Sequence, residues 1–511
     1  MALPLSPLKR PRLSSEQAVA FGTALCLLVA MAWRWFDLRD WHDSQRILQC
    51  LLLLAAGAAW LFDSGLRDRL LVQAGRFGRR TALAWMAALG LGVVSAMWSG
   101  FPRFGLLEVA LFALSTLLVT SVMAARQSPR AFDAIALAMV VAAGTVLVVQ
   151  FMSAYAAALF GGAGFVVDNL YRGGFSNPRF LGQFHTMALP LLLAACVYPA
   201  FPARWRAMAF AVLVMSLVLA LLTASRATWY AWLAATLAVL VVFRPPCRAM
   251  LSALAAALCC SAAVFYAMFY VLPPLLIEGW QFAVMEASFG RLGQPFGLSM
   301  REVLWSRALG WIGQFPTLGI GPMGLALDVN PVAAHPHNAP LQIAAEWGLP
   351  ASLLMAIAVL GAASGLSMGL RRQVTDTPAD GGAERLVGVA LAIALTGAAT
   401  NALVDGVIVM PCTQLMLAGV AGWTAACLLP PAAAVPARAR WPGRCTAVAI
   451  VAAMIALFHG AAPEARSLYL QLDRLQAAAD DRPTFTRFWI QGWLTDAVDI
   501  ERVRFLRQVP R

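Results

Sequence analysis

Charged side chains are scarce in this chain of 511 residues: Asp, Glu, Lys and Arg make up 12% of it, and hydrophobic residues 61%. A soluble globular domain carries about 25% charged residues, so the chain lacks the polar side chains that would cover a surface in water. Lysine is nearly absent, and Lys9 is its single occurrence. These shortages exclude an ordinary soluble protein and predict one that lies in a bilayer.

Metal and nucleotide signatures are missing as well. The nine cysteines include no C-x-x-C pair and no Cys/His ligand spacing, so neither a disulfide framework nor a zinc site is indicated. The segment 277–349 has no H-E-x-x-H, G-x-S-x-G or P-loop motif and no acidic pair. The net charge of +13 is spread over short arginine clusters between apolar runs, a pattern of membrane topology. We therefore expect no cofactor, no metal and no nucleic-acid partner.

Apolar runs recur along the whole chain. A spanning helix takes about 20 mostly apolar residues, which predicts about 12–13 transmembrane helices here. The candidates are 18–33, 47–62, 82–98, 105–125, 134–160, 186–203, 207–224, 229–243, 249–276, 350–369, 386–404, 412–429 and 445–461. The predicted fold is all-α and polytopic, with transmembrane helices over 1–276, a loop over 277–349, transmembrane helices over 350–461 and a tail over 462–511.

Arginines alternate between successive connections. Every second connection is basic, including those around Arg67 to Arg80, Arg126 to Arg130, Arg371 to Arg385 and Arg438 to Arg444. Basic short loops stay in the cytoplasm, so the other set, which includes the 277–349 loop and the tail, is predicted to lie outside. A loop as long as 277–349 is usually functional, and its Gly, Pro, Trp and Phe content disfavours disorder.

The stretch HPHNAPLQIAAEWGLP holds two of the five histidines beside a short predicted helix. Asn338 is suited to the N-cap and Gly348 to the end, so the spacing predicts a helix over 339–347. His337 precedes the positive end of this helix, which favours a neutral imidazole. A neutral imidazole is the form that a general base requires.

The two neighbouring polar residues receive other roles in this prediction. His335 is interpreted as an interfacial polar residue whose imidazole is satisfied by backbone carbonyls. Glu346 projects from the opposite side of the predicted helix to His337. We therefore expect Glu346 to brace the loop or to orient another group, and not to pair with His337.

Arginines and small residues surround the start of another predicted span, YRGGFSNPRFLGQFHTMALPLLLA. The Gly-Gly and Asn-Pro pairs predict tight turns, and Arg172 and Arg179 could then lie against a phosphate. Gln183 and His185 would follow on the first turns of the helix. The alternative is a re-entrant loop whose arginines reach lipid headgroups.

Two further arginines lie in the outward set. Arg226, in LLTASRATWYAWL, stands between apolar runs, where a charge needs a compensating partner; we favour an anionic ligand over a headgroup or a backbone carbonyl. Arg301, with Trp305 and Arg307, predicts a short amphipathic helix ahead of the turn-rich PTLGIGPMG. Arg291 is a further residue that could reach a phosphate.

The order of these motifs resembles a known family. RGGFSNPRFLGQF, SRATW, R-x-x-x-W with P-x-x-G-x-G-x-x-G, and HNAPLQIAAEWGLP follow one another between Arg172 and Pro350. This order is similar to that of the O-antigen ligase superfamily of bacterial inner-membrane glycosyltransferases, which includes lipopolysaccharide O-antigen ligases, O-antigen polymerases and protein O-oligosaccharyltransferases. The resemblance implies a multi-pass, GT-C-like fold with a large periplasmic loop over a cavity open to the outer leaflet.

The resemblance also implies partners and residue roles. The donor would be a glycan on undecaprenyl diphosphate, with Arg172 and Arg226 at its pyrophosphate and Arg301 matching the family's R-x-x-x-W arginine. His337 would activate the acceptor hydroxyl. The reaction would be inverting and metal-independent, on the periplasmic side of the bacterial inner membrane and among its lipids.

The acceptor is left open by the sequence. Protein oligosaccharyltransferases of this group tend to carry a late His-Ser and Glu-x-Pro-Leu element, whereas this chain reads TNALVDGVIVMPCTQLMLAG there. That difference favours ligation to lipid A–core. The long outside tail from residue 462, in contrast, is more typical of the protein oligosaccharyltransferases. A lipid-linked glycan flippase is the alternative of another class, although the few ionisable residues inside spans disfavour it.

Overall fold

The computed structural model describes most of the chain. The described residues are 13–33, 41–161, 170, 173–223, 225–242, 248–277, 300–326, 332–376, 382–431, 440–478 and 487–489. Within these ranges the chain forms helices and their connections, and no strand occurs there.

Sixteen helices of the described residues follow one another along the chain. They are α1 Ser15–Ala32, α2 Trp41–Phe62, α3 Ser64–Gly75, α4 Arg79–Trp98, α5 Pro102–Ala125, α6 Pro129–Phe160, α7 Pro178–Val197, α8 Ala203–Thr223, α9 Arg226–Val242, α10 Arg248–Tyr266, α11 Arg301–Gln314, α12 Ala339–Trp347, α13 Leu349–Asp376, α14 Gly382–Asn401, α15 Pro411–Leu428 and α16 Arg440–Ala478. A π-helical turn, Ala267–Val271, and a last turn, Leu272–Leu276, continue α10.

Eleven helices in the described part are long and apolar enough to cross a membrane. The all-α, multi-pass fold is therefore confirmed. The two other predicted spans, 229–243 and 412–429, coincide with α9 and α15, which belong to the same bundle but are not among the eleven. The last predicted span, 445–461, lies inside the much longer α16, so the predicted start of the tail at residue 462 falls within a helix.

Apolar side chains cover much of the outer surface of the bundle. Large hydrophobic residues such as Met97, Leu360 and Val448 are exposed on α4, α13 and α16. In water this surface would be costly, whereas hydrocarbon solvates it and leaves the backbone polar groups bonded inside each helix. The sparse charge of the sequence thus corresponds to a surface built for lipid.

Two helices occupy the interior of the bundle. α5 packs against α1, α2, α4, α15 and α16, and α7 packs against α6, α8, α9 and α14. α7 begins earlier than the predicted span 186–203, because Asn177 accepts a hydrogen bond from the Arg179 N–H and Pro178 occupies the first turn. The whole of α7 is nearly buried, which agrees with a helix that is apolar on all sides.

Basic connections gather at one end of the bundle, as the arginine alternation predicts. There, Glu16 accepts hydrogen bonds from Arg69 and Gln127 at 2.8 and 2.6 Å. Arg76 donates to carbonyls at the end of α15, and Arg126 forms a two-bond ion pair with Asp133. We call this the basic end, and the opposite end, which carries His337, the site end.

We expect Gly369→Ala to destabilise the bundle by about 1–3 kcal/mol, a typical cost of overpacking. A Cβ atom at Gly369 of α13 would overlap the backbone carbonyl of Leu428, which cannot move without shifting α15. Gly90→Ala in α4 is the matched control, because nothing lies within 4 Å of its Cβ position and alanine favours helix by about 1 kcal/mol. Thermal unfolding in detergent gives the midpoint temperature of each variant. Equal midpoint temperatures for the two variants would contradict the packing of α13 against α15.

Candidate functional site

The short helix α12 holds the histidine segment. It spans Ala339–Trp347 with Asn338 as N-cap and Gly348 at the C-cap, which confirms the predicted bounds. The Asn338 side chain accepts from the Leu341 N–H at 2.9 Å and donates to the Leu403 carbonyl at 3.0 Å. The N-cap therefore also ties the start of α12 to the connection that follows α14.

His337 has a left-handed backbone with φ of 51°, which is uncommon for a residue other than glycine. Its N–H donates to Nδ1 of His335 at 3.3 Å, and the two imidazole rings lie 4.2 Å apart between centroids. The adjacent Pro336 carbonyl accepts a hydrogen bond from Trp305 Nε1 at 2.9 Å. His335 and Trp305 thus hold the unusual turn that presents His337.

His337 pairs with an acidic residue that sequence reasoning missed. Its Nδ1 lies 3.2 Å from Oδ1 of Asp405, in the connection between α14 and α15, and both side chains are buried. An ionised carboxylate only accepts hydrogen bonds, so neutral His337 carries its proton on Nδ1 and leaves Nε2 as the acceptor. This is the arrangement of a histidine base oriented by a carboxylate. We call the pair the dyad.

The surroundings of the dyad favour a neutral His337 and an ionised Asp405. Burial lowers the pKa of His337, Asp405 opposes this effect, and the charges of Arg179 and Arg301 add to it. Burial by itself would raise the pKa of Asp405, but the hydrogen bonds from His337 and the Gly406 N–H bring it below its ordinary value. A pKa of His337 below its ordinary value favours the neutral imidazole, and its main cause is burial.

Asp405 was missed because its pairing is remote in sequence. The sequence signal that existed was a lone acidic residue followed by glycine in an outward connection. Gly406 is needed there, because a Cβ atom would come within 2.6 Å of His335 Cε1. The absence of a side chain at Gly406 lets the Asp405 backbone approach the histidines closely.

Positive charge surrounds the dyad. Arg301 and Trp305 lie one turn apart on α11, so the helix that anchors the Pro336 carbonyl also brings a guanidinium to the site. Burial lowers the pKa of Arg301, and the charges of Arg179 and Arg226 lower it further, while Asp405 raises it. Arg179 and Arg226 are therefore each close enough to Arg301 for their charges to interact with it. Arg172 and Arg291 lie outside the described residues.

Gln183 and His185 lie deeper in the bundle than the arginines. Both are buried on α7, and Gln183 accepts a hydrogen bond from Thr413 Oγ1 at 3.1 Å. Neither imidazole nitrogen of His185 has a hydrogen-bond partner among the described residues. No described contact joins these two side chains to the dyad.

Glu346 binds an arginine of the C-terminal tail. Its Oε2 accepts from Arg487 Nη2 at 2.6 Å, and its Oε1 accepts from the Leu325 N–H at 3.0 Å. Arg487 Nη2 also donates to Glu108 Oε1 on α5 at 2.9 Å. Residues 487–489 of the tail are buried inside the site end.

The glycine-rich run PTLGIGPMG packs against the end of α12. The Ile320 N–H donates to the Ala345 carbonyl at 2.9 Å, and a Cβ atom at Gly319, where φ is 66°, would lie 2.5 Å from the Glu346 carbonyl oxygen. The Ser95 hydroxyl of α4 also donates to that oxygen. These glycines therefore allow close packing of backbone, which a nucleotide-binding loop would not require.

Polar residues at the start of α2 form a second set that sequence reasoning missed. The Gln45 amide donates to the Gly174 carbonyl, and the His42 N–H donates to Ser176 Oγ at 3.2 Å. Arg46 donates from Nε to the Phe488 carbonyl at 3.0 Å and from Nη2 to the Val409 carbonyl. The start of α2 thus holds the loop next to Arg172, the tail, and the connection that carries Asp405.

A comparison with known families found one match. Residues 211–356 match the sequence model of the family described as O-antigen ligase, and the match includes Arg226, Arg301 and His337. The match supports the O-antigen ligase superfamily, as the motif order predicts. No curated protein matches the chain. Among the described residues, no group of three His, Cys, Asp or Glu side chains is placed to hold a metal ion.

We expect Asp405→Asn to lower the pKa of His337, because the carboxylate stabilises the imidazolium and its loss leaves burial and the arginines unopposed. Diethyl pyrocarbonate modifies neutral imidazoles, so the midpoint of the His337 modification rate should move to lower pH. Peptide mass spectrometry locates the modified residue, and exposed His459 serves as the internal reference. The control Glu302→Gln removes a carboxylate from α11 without touching His337, and equal midpoints in both variants would contradict the dyad.

Proposed function

We propose, on the premise that the chain is a member of the O-antigen ligase superfamily, that it transfers a glycan from undecaprenyl diphosphate to an acceptor hydroxyl. The observation that carries the proposal is the dyad of His337 and Asp405, set among Arg179, Arg226 and Arg301 at one end of a membrane bundle. The most favoured acceptor is lipid A–core, which would make the reaction O-antigen ligation.

The dyad supplies the base for this chemistry. His337 Nε2 accepts the proton of the acceptor hydroxyl while Asp405 stabilises the imidazolium that forms. The acceptor oxygen attacks the anomeric carbon, and the bond from that carbon to the phosphate oxygen breaks, so undecaprenyl diphosphate leaves with the electron pair. One direct displacement inverts the anomeric carbon. A positioned base contributes about 10²–10⁴-fold to such a step.

The arginines supply the stabilisation of the leaving group. A guanidinium forms bidentate, charge-assisted bonds to phosphoryl oxygens and stays protonated while it does so. We assign the donor pyrophosphate to Arg172, Arg226 and Arg301, with Arg179 as a supporting residue. Arginines of this kind favour the departing diphosphate without a metal ion, because the charge develops next to fixed cations.

The distribution of charge supports a periplasmic site. The basic connections gather at the end of the bundle opposite the dyad, and basic connections face the cytoplasm in inner-membrane proteins. In this orientation the dyad and the described part of the 277–349 loop would lie on the periplasmic side, which is the location that we propose for the site. Both the lipid-linked glycan and lipid A–core present their sugars on that side.

An apolar groove supports a lipid-linked donor. It lies between α1, α6, α7 and α15 and is lined by residues such as Leu27, Met139, Phe184, Leu191 and Gly419. Phe184 and Leu191 of α7 contribute to the groove, and the first turn of the same helix carries Arg179 at the site end. A donor with its diphosphate at the arginines would place its hydrocarbon chain along this helix.

Two other acceptors and one other class of function are alternatives. A protein hydroxyl, as in pilin glycosylation, is the second candidate, and the long C-terminal tail from residue 462 is the feature that favours it. A growing glycan, as in polymerisation, is the third. A flippase would move the lipid-linked glycan without making a bond, and the dyad would have no role in it.

The test of the function is glycan transfer by purified protein. We expect new glycosidic linkage when a lipid-linked glycan is offered with lipid A–core, and none with a pilin-like protein. His337→Ala should reduce the rate by about 10²–10⁴-fold while donor binding survives, because the variant removes only the base. Labelling of the protein acceptor alone would assign the second candidate, and the absence of any transfer would refute the proposal.

We expect Gly419→Leu to raise the donor KM by about tenfold with little change in kcat. The leucine would displace about two methylene groups of the donor's hydrocarbon chain from the groove, and the loss of their burial corresponds to that change in affinity. Nothing lies within 4 Å of the Gly419 Cβ position, so leucine fills the groove without a clash. Gly90→Leu on α4 adds the same side chain at another open position and is the control. An unchanged donor KM in Gly419→Leu would exclude the groove as the place of the lipid chain.

A further inference from the structure

The C-terminal segment Arg487–Trp489 penetrates the site end and is buried there. Such a segment must satisfy its backbone and charged groups inside the protein, and it does so with two different structural units. Arg487 contacts the helix that follows His337. Phe488 contacts the start of α2, which in turn contacts the connection that carries Asp405.

The first unit is α12. Arg487 Nη2 donates to Glu346 Oε2 at 2.6 Å, in the last turn of α12, and to Glu108 Oε1 at 2.9 Å on α5. Glu108 Oε2 in turn accepts from the Met323 N–H at 2.8 Å. Arg487 fixes the short helix α12 against α5. Since Asn338 is the N-cap of α12 and directly follows His337, this contact also fixes the chain next to His337.

The second unit is the Asp405 connection. The Phe488 carbonyl accepts hydrogen bonds from His42 Nε2 and Arg46 Nε, both at 3.0 Å, and the Arg46 guanidinium lies 4.8 Å from the centroid of the Phe488 ring. Arg46 Nη2 donates to the Val409 carbonyl, and the Val409 N–H donates to the Gly406 carbonyl at 2.9 Å. One tail residue is thus connected through Arg46 to the turn that follows Asp405.

We propose that the tail segment Arg487–Trp489 is a clasp that sets the position of His337 relative to Asp405, with Arg487 as a positioning residue. The two members of the dyad lie on separate units, and the described hydrogen bonds of the segment reach both. The described side-chain hydrogen bonds of Arg487 and the described bonds to the Phe488 carbonyl involve α2, α5, α12 and Met323, and neither member of the dyad. This inference rests on the proposed function only for its kinetic test.

A comparison of two matched variants distinguishes a positioning role of the clasp from a purely structural one. Arg487→Ala removes a buried arginine from two carboxylates at the site end. Arg126→Ala removes a buried arginine from Asp133 at the basic end, where two hydrogen bonds of 2.9 Å join the pair. Both variants lower stability, but only Arg487→Ala should disturb the dyad.

Modification by diethyl pyrocarbonate gives a readout that does not need glycan transfer. In Arg487→Ala we expect His337 to be modified faster than in the wild type, relative to exposed His459, because the turn is no longer held. In Arg126→Ala the His337 rate should equal that of the wild type. Equal His337 rates in all three proteins, or equal increases in both variants, would overturn the clasp.

Transfer kinetics give the second readout. We expect kcat to fall by about 100-fold in Arg487→Ala with an unchanged donor KM, since a misplacement of about 1 Å at reacting groups costs that much. Arg487→Lys keeps the charge but not the fork that holds both carboxylates, so a loss of about tenfold is expected. If Arg487→Ala does not fold, Arg487→Lys decides: wild-type kcat and His337 modification in that variant would overturn the clasp.

The two proposals fail in different ways. If the wild-type protein transfers no glycan, the proposed function is refuted, and the modification rates of His337 still decide whether the tail positions the dyad. If the wild type transfers glycan but Arg487→Ala retains its kcat and its His337 rate, the clasp is refuted and the function stands.

Discussion

A bilayer offers no water to a buried charge, and this constraint organises the molecule. With so few charged residues, each has to lie at an end of the bundle or meet a partner inside it. At the basic end the partners are Arg126 with Asp133 and Arg69 with Glu16. At the site end they are His337 with Asp405 and Arg487 with Glu108 and Glu346.

The same constraint explains why the site is preorganised. His337 and Asp405 are buried and mutually hydrogen-bonded, so neither has to be reoriented by water before it acts. Burial is the main cause that lowers the pKa of His337, and the charges of Arg179 and Arg301 add to it. The same positive charge is what the proposed diphosphate leaving group would meet.

The proposed clasp extends this arrangement to the end of the chain. Arg487 is costly to bury unless both carboxylates meet it, and both carboxylates are costly to bury without it. This mutual dependence ties α5, α12 and the tail into one unit. The polar start of α2 completes the connection, because Arg46 bonds both the tail and the turn after Asp405.

Local signals in the sequence were sufficient for much of the fold. Apolar runs of spanning length predicted the helices, and alternating arginines predicted which connections share an end. Asn338 and Gly348 predicted the bounds of α12 because capping depends on neighbouring backbone only. The motif order between Arg172 and Pro350 pointed to the family that residues 211–356 match.

Pairing across the bundle was decided only by the tertiary structure. Asp405 meets His337, and Arg487 meets Glu108 and Glu346, through the packing of helices that are far apart in the chain. Hydrophobic patterns fix which residues face lipid, but they do not specify which buried polar group meets which. The sequence by itself therefore determined a membrane bundle with a histidine site, and the tertiary contacts decided how that histidine is oriented and held.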